Sequence, residues 1–278
     1  MLDYTKLLPP HTEKYIGEND LFLEVYQGVG STDTKGKRPP LLFLHGAYTG
    51  SWMWSKFIPH FIRNSWNFYA MNLRSHYKSR SMDMTKITFE DYLADIRLVI
   101  TEITKETGCP PVLIGFSLGG ILGQKIAESE DLSGLVLIDS SICREVYDRA
   151  PYVARQDGSL GMIVPAPDRE EQSSIDESEE DILFQRKYLS MESSRAFLAC
   201  GCWIKGVDGI SVDNKLINCP VLVIRAVNSE EDDLRLRAEA DYFNAEHGGI
   251  HNSTHTGLLI GQRYQETAGQ ILFWLENL

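Results

Sequence analysis

The stretch PPVLIGFSLGGILGQKIAE at residues 110–128 decides the fold. The apolar run at 112–115 is typical of a strand buried on both faces, and a helical pattern begins near Leu118. Ser117 lies between two glycines at this junction, which gives the pattern G-x-S-x-G. A serine hydroxyl becomes a useful nucleophile when a sharp turn holds it exposed beside a base. We therefore predict that Ser117 is a nucleophile rather than only a helix cap.

Four further runs are apolar at every position instead of alternating between apolar and polar residues. This pattern is expected for strands that crossover helices cover on both sides. They are LLFL (41–44), FYAM (68–71), LVLI (135–138) and VLVI (221–224). Residues 88–107 repeat apolar side chains every three or four positions, which predicts a helix. The order strand, helix, strand predicts an α/β fold with a doubly wound, mostly parallel sheet. An alternating pattern at 14–30 predicts an antiparallel strand pair at one edge.

The strand–helix rhythm stops between residues 141 and 212, where an acidic stretch and helical segments follow a loop. We interpret 141–212 as an inserted helical cap on a core formed by 1–140 and 213–278. The polar, turn-rich residues 31–40 are predicted to form a loop.

Composition excludes several classes of protein. No apolar run approaches the roughly 18 residues of a membrane span, and the start has no secretory pattern, so we expect a cytoplasmic protein. The net charge of −12 disfavours binding to nucleic acid or to an anionic membrane. Five cysteines without metal-ligand spacing predict reduced thiols, no disulfide framework and no metal site. We expect no organic cofactor and leave the oligomeric state open.

Beyond the G-x-S-x-G pattern, two segments resemble the α/β-hydrolase superfamily. LLFLHGAYTGSWMW (41–54) looks like the family's strand and His-Gly oxyanion loop. This resemblance implies an oxyanion hole formed by the backbone N–H groups of Ala47 and Leu118, with His45 orienting the loop. FYAMNLRSHYKSRS (68–81) is similar to a second family loop, with His76 in a structural role. There, Asn72, Ser75 and Tyr77 replace the usual Asp and two Gly, and the two lost glycines put the loop geometry in question.

The family's chain order is nucleophile, acid, histidine, which places the base in EHGGIHNSTHTGLLIG (246–261). His255 fits best, His251 is the second choice, and His247 lies further upstream. For the acid, the resemblance favours Glu230 after the strand PVLVIRA. The open alternatives are Glu231, Asp232, Asp233 and Asp139, since some family members take the acid from the preceding strand.

The resemblance implies a serine hydrolase that cleaves a small or medium carboxylic ester, lactone or thioester through an acyl-enzyme. We expect an apolar or weakly charged small-molecule substrate. The same triad serves C–C hydrolases, perhydrolases and acyltransferases. A non-catalytic ligand-binding homologue is the alternative from another class, because fold does not fix function.

Overall fold

The computed structural model describes residues 2–30, 38–153 and 160–278, so most of the predicted loop 31–40 lies outside the described residues. Within them, eight strands form one sheet in the order β1-β2-β4-β3-β5-β6-β9-β10. These strands are β1 (Thr12–Ile16), β2 (Leu21–Tyr26), β3 (Leu41–Leu44), β4 (Phe68–Met71), β5 (Val112–Phe116), β6 (Gly134–Ile138), β9 (Val221–Val227) and β10 (Glu246–His251).

The sheet is parallel from β4 through β10 and antiparallel at β1 and β2. All five apolar runs form interior strands, which confirms the prediction of a doubly wound α/β sheet. The antiparallel edge pair predicted within 14–30 is also confirmed, with Glu13 opposite Glu24. Because β3, β5, β6, β9 and β10 run the same way, the loops after them meet at one edge.

Helices cover both faces, as crossover connections in such a sheet require. They are α1 (Ile58–Arg63), α2 (Phe89–Thr107), α3 (Leu118–Ile126), α4 (Arg144–Arg149), α5 (Glu179–Tyr188), α6 (Ser194–Ala199), α7 (Glu230–Phe243) and α8 (Tyr264–Glu276). One face packs against α2, α3 and α7, and the other against α1 and α8. The predicted helix at 88–107 is α2, whose N-terminus carries a capping box of Thr88 and Asp91. In the described part of the chain, no helix combines the length and apolarity needed to cross a membrane.

The connection between β6 and β9 is the long one. Its described residues contain α4, α5 and α6, together with a two-stranded sheet of β7 (Ile163–Val164) and β8 (Glu192–Ser193). The N-terminus of α5 has a capping box formed by Ser178 and Asp181. Asp181 also accepts hydrogen bonds from Tyr4 and from Lys56, which fasten this connection to the core.

Candidate active site

Ser117 occupies a strained turn between β5 and α3. Its backbone angles are φ 54° and ψ −116°, a left-handed conformation that side-chain-bearing residues rarely adopt. The turn is tight because α3 begins at once: a Cβ on Gly119 would lie 2.4 Å from the carbonyl oxygen of Leu44 and 2.5 Å from that of His45. Only glycine allows α3 to approach β3 so closely. The strand–turn–helix context predicted for Ser117 is therefore present.

His255 pairs with Asp139. The imidazole Nδ1 atom lies 2.6 Å from Oδ2 of Asp139. The register explains the meeting point, since Phe116 on β5 is paired with Ile138 on β6, so Ser117 and Asp139 each follow one member of the same pair. Asp139 also has a left-handed backbone, with φ 41°. The turn after β6 thus directs the carboxylate toward the loop that carries His255.

This pairing corrects the preference for Glu230. Glu230 is the first residue of α7, and its side chain is exposed. The acidic residues that follow it stabilise the helix: the Asp232 carboxylate accepts from Ser229 Oγ, the Asp232 N–H donates to that Oγ, and Glu231 pairs with Arg235. Asp233 pairs with Arg237 one turn along. Carboxylates in a first helical turn stabilise the helix dipole, which accounts for the whole run without a catalytic role.

Asp139 is kept ionised by its surroundings. Burial alone would raise its pKa, but the Arg225 guanidinium, the His255 ring and the backbone N–H of Ala226 together hold the pKa below its usual range. Arg225 Nε lies 3.4 Å from Asp139 Oδ1, and its Nη1 donates to Glu239 at 2.6 Å. A charged Asp139 fixes the proton of His255 on Nδ1, which leaves Nε2 free to act as a base.

Ser117 and His255 line the same two pockets, and Phe116 stacks on the His255 ring at 4.5 Å between centroids. No hydrogen bond joins Ser117 Oγ to His255, so it is the shared pocket lining that brings the two side chains together. The second-choice base, His251, ends β10, where its Nδ1 contacts the Val227 carbonyl oxygen. His247 also lies in β10, so the structure brings only His255 of the three to Ser117.

The loop after β3 brings Ala47 to the pocket that Ser117 and His255 line. His45 Nε2 accepts from the Leu73 N–H at 3.1 Å, so Nδ1 carries the proton and donates to the Gly46 carbonyl oxygen at 2.8 Å. Burial and the neighbouring His76 lower the pKa of His45 to about 3, which keeps the ring neutral. Thr49 Oγ1 donates to the same carbonyl at 2.9 Å. Because a trans peptide holds C=O and N–H on opposite sides, this anchoring turns the Ala47 N–H the other way.

Ala47 and Leu118 both line one pocket with Ser117 and His255. In the described part of the chain, neither of their N–H groups donates to a protein acceptor. Leu118 is the first residue of α3, where a free N–H is normal. This geometry is consistent with the oxyanion hole that the family resemblance implies.

In the second family-like loop, the residues that replace glycines adopt positive φ angles. Ser75 and Tyr77, which replace glycines, adopt φ 63° and φ 47°. Asn72 takes a structural role, since its Oδ1 accepts from the Ser51 N–H at 2.8 Å. His76 is fully buried, with Nδ1 3.0 Å from the Arg74 carbonyl and Nε2 3.1 Å from the Glu192 carboxylate. Sequence reasoning missed Glu192, since no local pattern marks it.

Two pockets meet at Ser117. One of about 340 Å³ is mostly apolar, and one of about 360 Å³, called the polar pocket below, combines polar and apolar surface in similar amounts. Among the aromatic residues, Phe116, Phe197, Tyr152 and Trp203 line these pockets, whereas Trp52 and Trp54 are core residues. The connection between β6 and β9 supplies Leu189, Phe197, Cys200 and Trp203 to the apolar pocket.

Among the described residues, one group could geometrically hold a cation. His11, Glu13 and Glu24 place ligand atoms within 4.8 Å of one another on the sheet edge. Lys78 Nζ already lies 2.7 Å from Glu13, and His11 Nε2 lies 3.7 Å from Glu24. These side chains balance the charges, so we assign no metal there.

The sheet order, the turn at Ser117 and the His255–Asp139 pair define the class of α/β proteins with a nucleophile elbow. The chain belongs to the alpha/beta hydrolase family, whose model matches residues 41–268. No curated protein sequence gives a significant match.

Solved structures share the fold at low sequence identity. The thioesterase domain from the curacin biosynthetic pathway is 18% identical with a TM-score of 0.63, covering 96% of this chain and 99% of that one. A thermophilic esterase from Thermogutta terrifontis is 17% identical with a TM-score of 0.61, over 97% and 99%. The enol-lactonase from Burkholderia xenovorans LB400 is 15% identical with a TM-score of 0.61, over 96% and 100%.

Proposed function

We propose that this protein hydrolyses carboxylic esters through an acyl-enzyme on Ser117. The observation that carries the proposal is the 2.6 Å contact of His255 with Asp139, at the sheet edge where Ser117 is held in a left-handed turn. The names of the three solved structures point the same way, since an esterase, a thioesterase domain and a lactonase all act on acyl carbon.

The mechanism follows from these positions. Ser117 Oγ forms a bond to the acyl carbon while its proton passes to His255 Nε2, and Asp139 stabilises the imidazolium that results. The carbonyl oxygen becomes an oxyanion that accepts from the N–H groups of Ala47 and Leu118. When the carbonyl re-forms, the alcohol leaves with the proton of His255. Water then attacks the acyl-enzyme by the same route, and Ser117 regains its proton as the acid is released.

The connection between β6 and β9, which includes the predicted cap 141–212, is proposed to cover this site, because its side chains wall the apolar pocket. A neutral small-molecule substrate is proposed, since a net charge of −12 disfavours polyanions. The five cysteines are all free, which supports a reducing, cytoplasmic setting.

A fluorophosphonate probe tests the nucleophile directly. We expect labelling of the peptide that contains Ser117, and at least a ~10³-fold loss of p-nitrophenyl butyrate hydrolysis in Ser117→Ala. The matched control is Ser81→Ala, because Ser81 is exposed and outside both pockets. Full turnover by a folded Ser117→Ala protein would overturn the proposal, and a folded wild type that takes no label would favour a ligand-binding role.

Product analysis separates reactions that share the triad. Hydrolysis gives the free acid in water alone, an acyltransferase gives a new ester when an alcohol is added, and a perhydrolase gives a peracid with hydrogen peroxide. A C–C hydrolase would cleave a β-diketone in preference to an ester.

A further inference from the structure

The polar pocket beside Ser117 differs in chemistry from the apolar one. Its lining includes hydroxyl, amide and charged side chains, and the two pockets share only Ser117, Ser141, Trp203 and His255. A substrate bound at Ser117 can therefore extend into both pockets, which have similar volumes. A substrate that fills both fits best when one half is apolar and the other half is polar.

Both arginines that line the polar pocket are paired with carboxylates. Arg225 is paired with Asp139 and Glu239. Arg235, whose side chain is only 4% exposed, contacts Glu231, and its Nη1 lies 3.5 Å from Asp232. Because both arginines are already paired, the pocket offers an anionic ligand little net attraction, whereas hydrogen-bonding groups remain available. The pocket thus favours a neutral, polar group over an anion.

Tyr152 supplies an unused hydrogen-bonding group to this pocket. Its ring lies under the Arg235 guanidinium, 3.9 Å from the ring centroid, and its hydroxyl makes no hydrogen bond to any described residue. Burial raises the pKa of Tyr152 although Arg225 and Arg235 oppose the shift, so the phenol is protonated at neutral pH. A Tyr hydroxyl can donate to and accept from a bound hydroxyl group. Arg235 Nε is a second donor without an acceptor in the described structure.

The catalytic geometry assigns the two halves of an ester to the two pockets. Ala47 and Leu118, which face the oxyanion, line only the apolar pocket. Asp139, Ser253 and Thr254, which surround His255 on its other side, line only the polar pocket. The leaving oxygen must lie against His255 to receive its proton, and His255 lines both pockets. We place the alcohol half in the polar pocket, on the Asp139 side of His255, and the acyl half in the apolar pocket, on the side of Ala47 and Leu118.

We propose that the substrate is an ester of an apolar acid with a neutral polyhydroxylated alcohol, and that Tyr152 binds a hydroxyl of the alcohol. This inference rests on the proposed ester hydrolysis and names its substrate class. Tyr152 is a specificity residue, because it contacts the alcohol and lies apart from the reacting atoms.

Two esters of the same acid test the preference. Glyceryl 1-hexanoate and propyl hexanoate differ only by two hydroxyl groups on a three-carbon alcohol. We expect kcat/KM to be at least about tenfold higher for the glyceryl ester. Propyl glycerate, which reverses the polarity of the two halves, should be the poorest of the three substrates.

The residue assignment is tested by Tyr152→Phe. The glyceryl-to-propyl ratio of kcat/KM should fall about five- to tenfold, the effect of one hydrogen bond. The control is Tyr147→Phe, because Tyr147 packs 6.3 Å from the Tyr152 ring yet lies outside the pocket lining, and it should keep the wild-type ratio.

The outcomes separate this inference from the proposed function. Hydrolysis of neither ester, together with absent fluorophosphonate labelling, would remove the proposed function itself. Hydrolysis of both esters with no preference for the glyceryl ester, or a ratio that Tyr152→Phe leaves unchanged, would overturn the substrate class while the esterase proposal stands.

Discussion

The carboxylate of Asp139 lies 2.6 Å from Nδ1 of His255, so the carboxylate that contacts this ring follows β6 rather than β9. Asp139 reaches the imidazole because its left-handed backbone turns the side chain across the sheet edge. Arg225, which comes from β9, then contributes a cation beside the acid instead of a neighbouring carboxylate. The carboxylate that contacts His255 thus follows β6, and its counter-ion Arg225 lies on β9.

Asp139→Asn should lower kcat for p-nitrophenyl butyrate by about 10⁴-fold, because the amide favours the wrong tautomer of the imidazole. Glu230→Gln should leave kcat within about twofold, since Glu230 is exposed at the start of α7. Steady-state kinetics on both folded variants gives the comparison. The reverse order of effects would restore Glu230 as the acid.

The fold was accessible from sequence for a clear physical reason. Strands in a parallel sheet are buried on both faces, so runs such as those at 41–44 and 221–224 stand out as unbroken apolar stretches. Ser117 and His255 could be proposed from sequence because Ser117 lies at a strand–helix turn and His255 follows the final strand. Both signals are local in the chain.

The choice of the acid depends on contacts between residues that are distant in the chain. Asp139 and the run after Ser229 each follow a buried strand, so spacing alone could not separate them. The structure separates them because the run after Ser229 forms the first turn of α7. Its acidic residues pair with the cap residue Ser229 and with arginines one turn along the helix. Glu192 escaped notice for the same reason: its partner His76 lies 116 residues away in the chain.

Gly119→Ala should destabilise the protein by about 1–3 kcal/mol or more, because the new methyl would meet the backbone oxygens of Leu44 and His45. It should also reduce fluorophosphonate labelling, since relief of the clash moves the turn at Ser117. The matched control is Gly269→Ala in the middle of α8, where an added Cβ meets nothing within 4 Å. That change should stabilise the protein by about 0.5–1 kcal/mol in urea unfolding. Equal effects of the two substitutions would contradict the close approach of α3 to β3.

Thiol reagents should leave ester hydrolysis intact. Cys200 lines the apolar pocket, but burial raises the pKa of its thiol, and burial also raises the pKa of Cys219 to about 11. A protonated, buried thiol is a poor nucleophile. We expect unchanged p-nitrophenyl butyrate turnover after iodoacetamide treatment at pH 7, with alkylation of Cys200 only after unfolding, as read by peptide mass spectrometry. Rapid inactivation that tracks modification of Cys200 in the folded protein would contradict this expectation.

The buried pair of His76 and Glu192 should make stability depend on pH in both directions. Burial alone would lower the pKa of His76, but the Glu192 carboxylate and the Arg74 carbonyl raise it; burial would raise the pKa of Glu192, but His76 and Tyr92 lower it. The histidine's contribution is complete below its ordinary pKa of 6.5 and is lost as pH rises through the raised value. The carboxylate's contribution is complete above 4.5 and is lost as pH falls through the lowered value.

Glu192→Gln should therefore lower the free energy of unfolding most between about pH 4.5 and 6.5, by about 3–5 kcal/mol, because it leaves a buried imidazolium without its counter-ion. Urea unfolding of wild type and variant across pH 4–9 gives this difference directly, and the difference should shrink toward alkaline pH as His76 loses its proton. Lys86→Gln serves as the control, since the Lys86 side chain is 80% exposed in its pair with Asp83 and should leave the curve unchanged. A difference that stays constant from pH 6 to pH 9 would show that His76 is neutral in the folded protein, and the pair would then be an ordinary hydrogen bond.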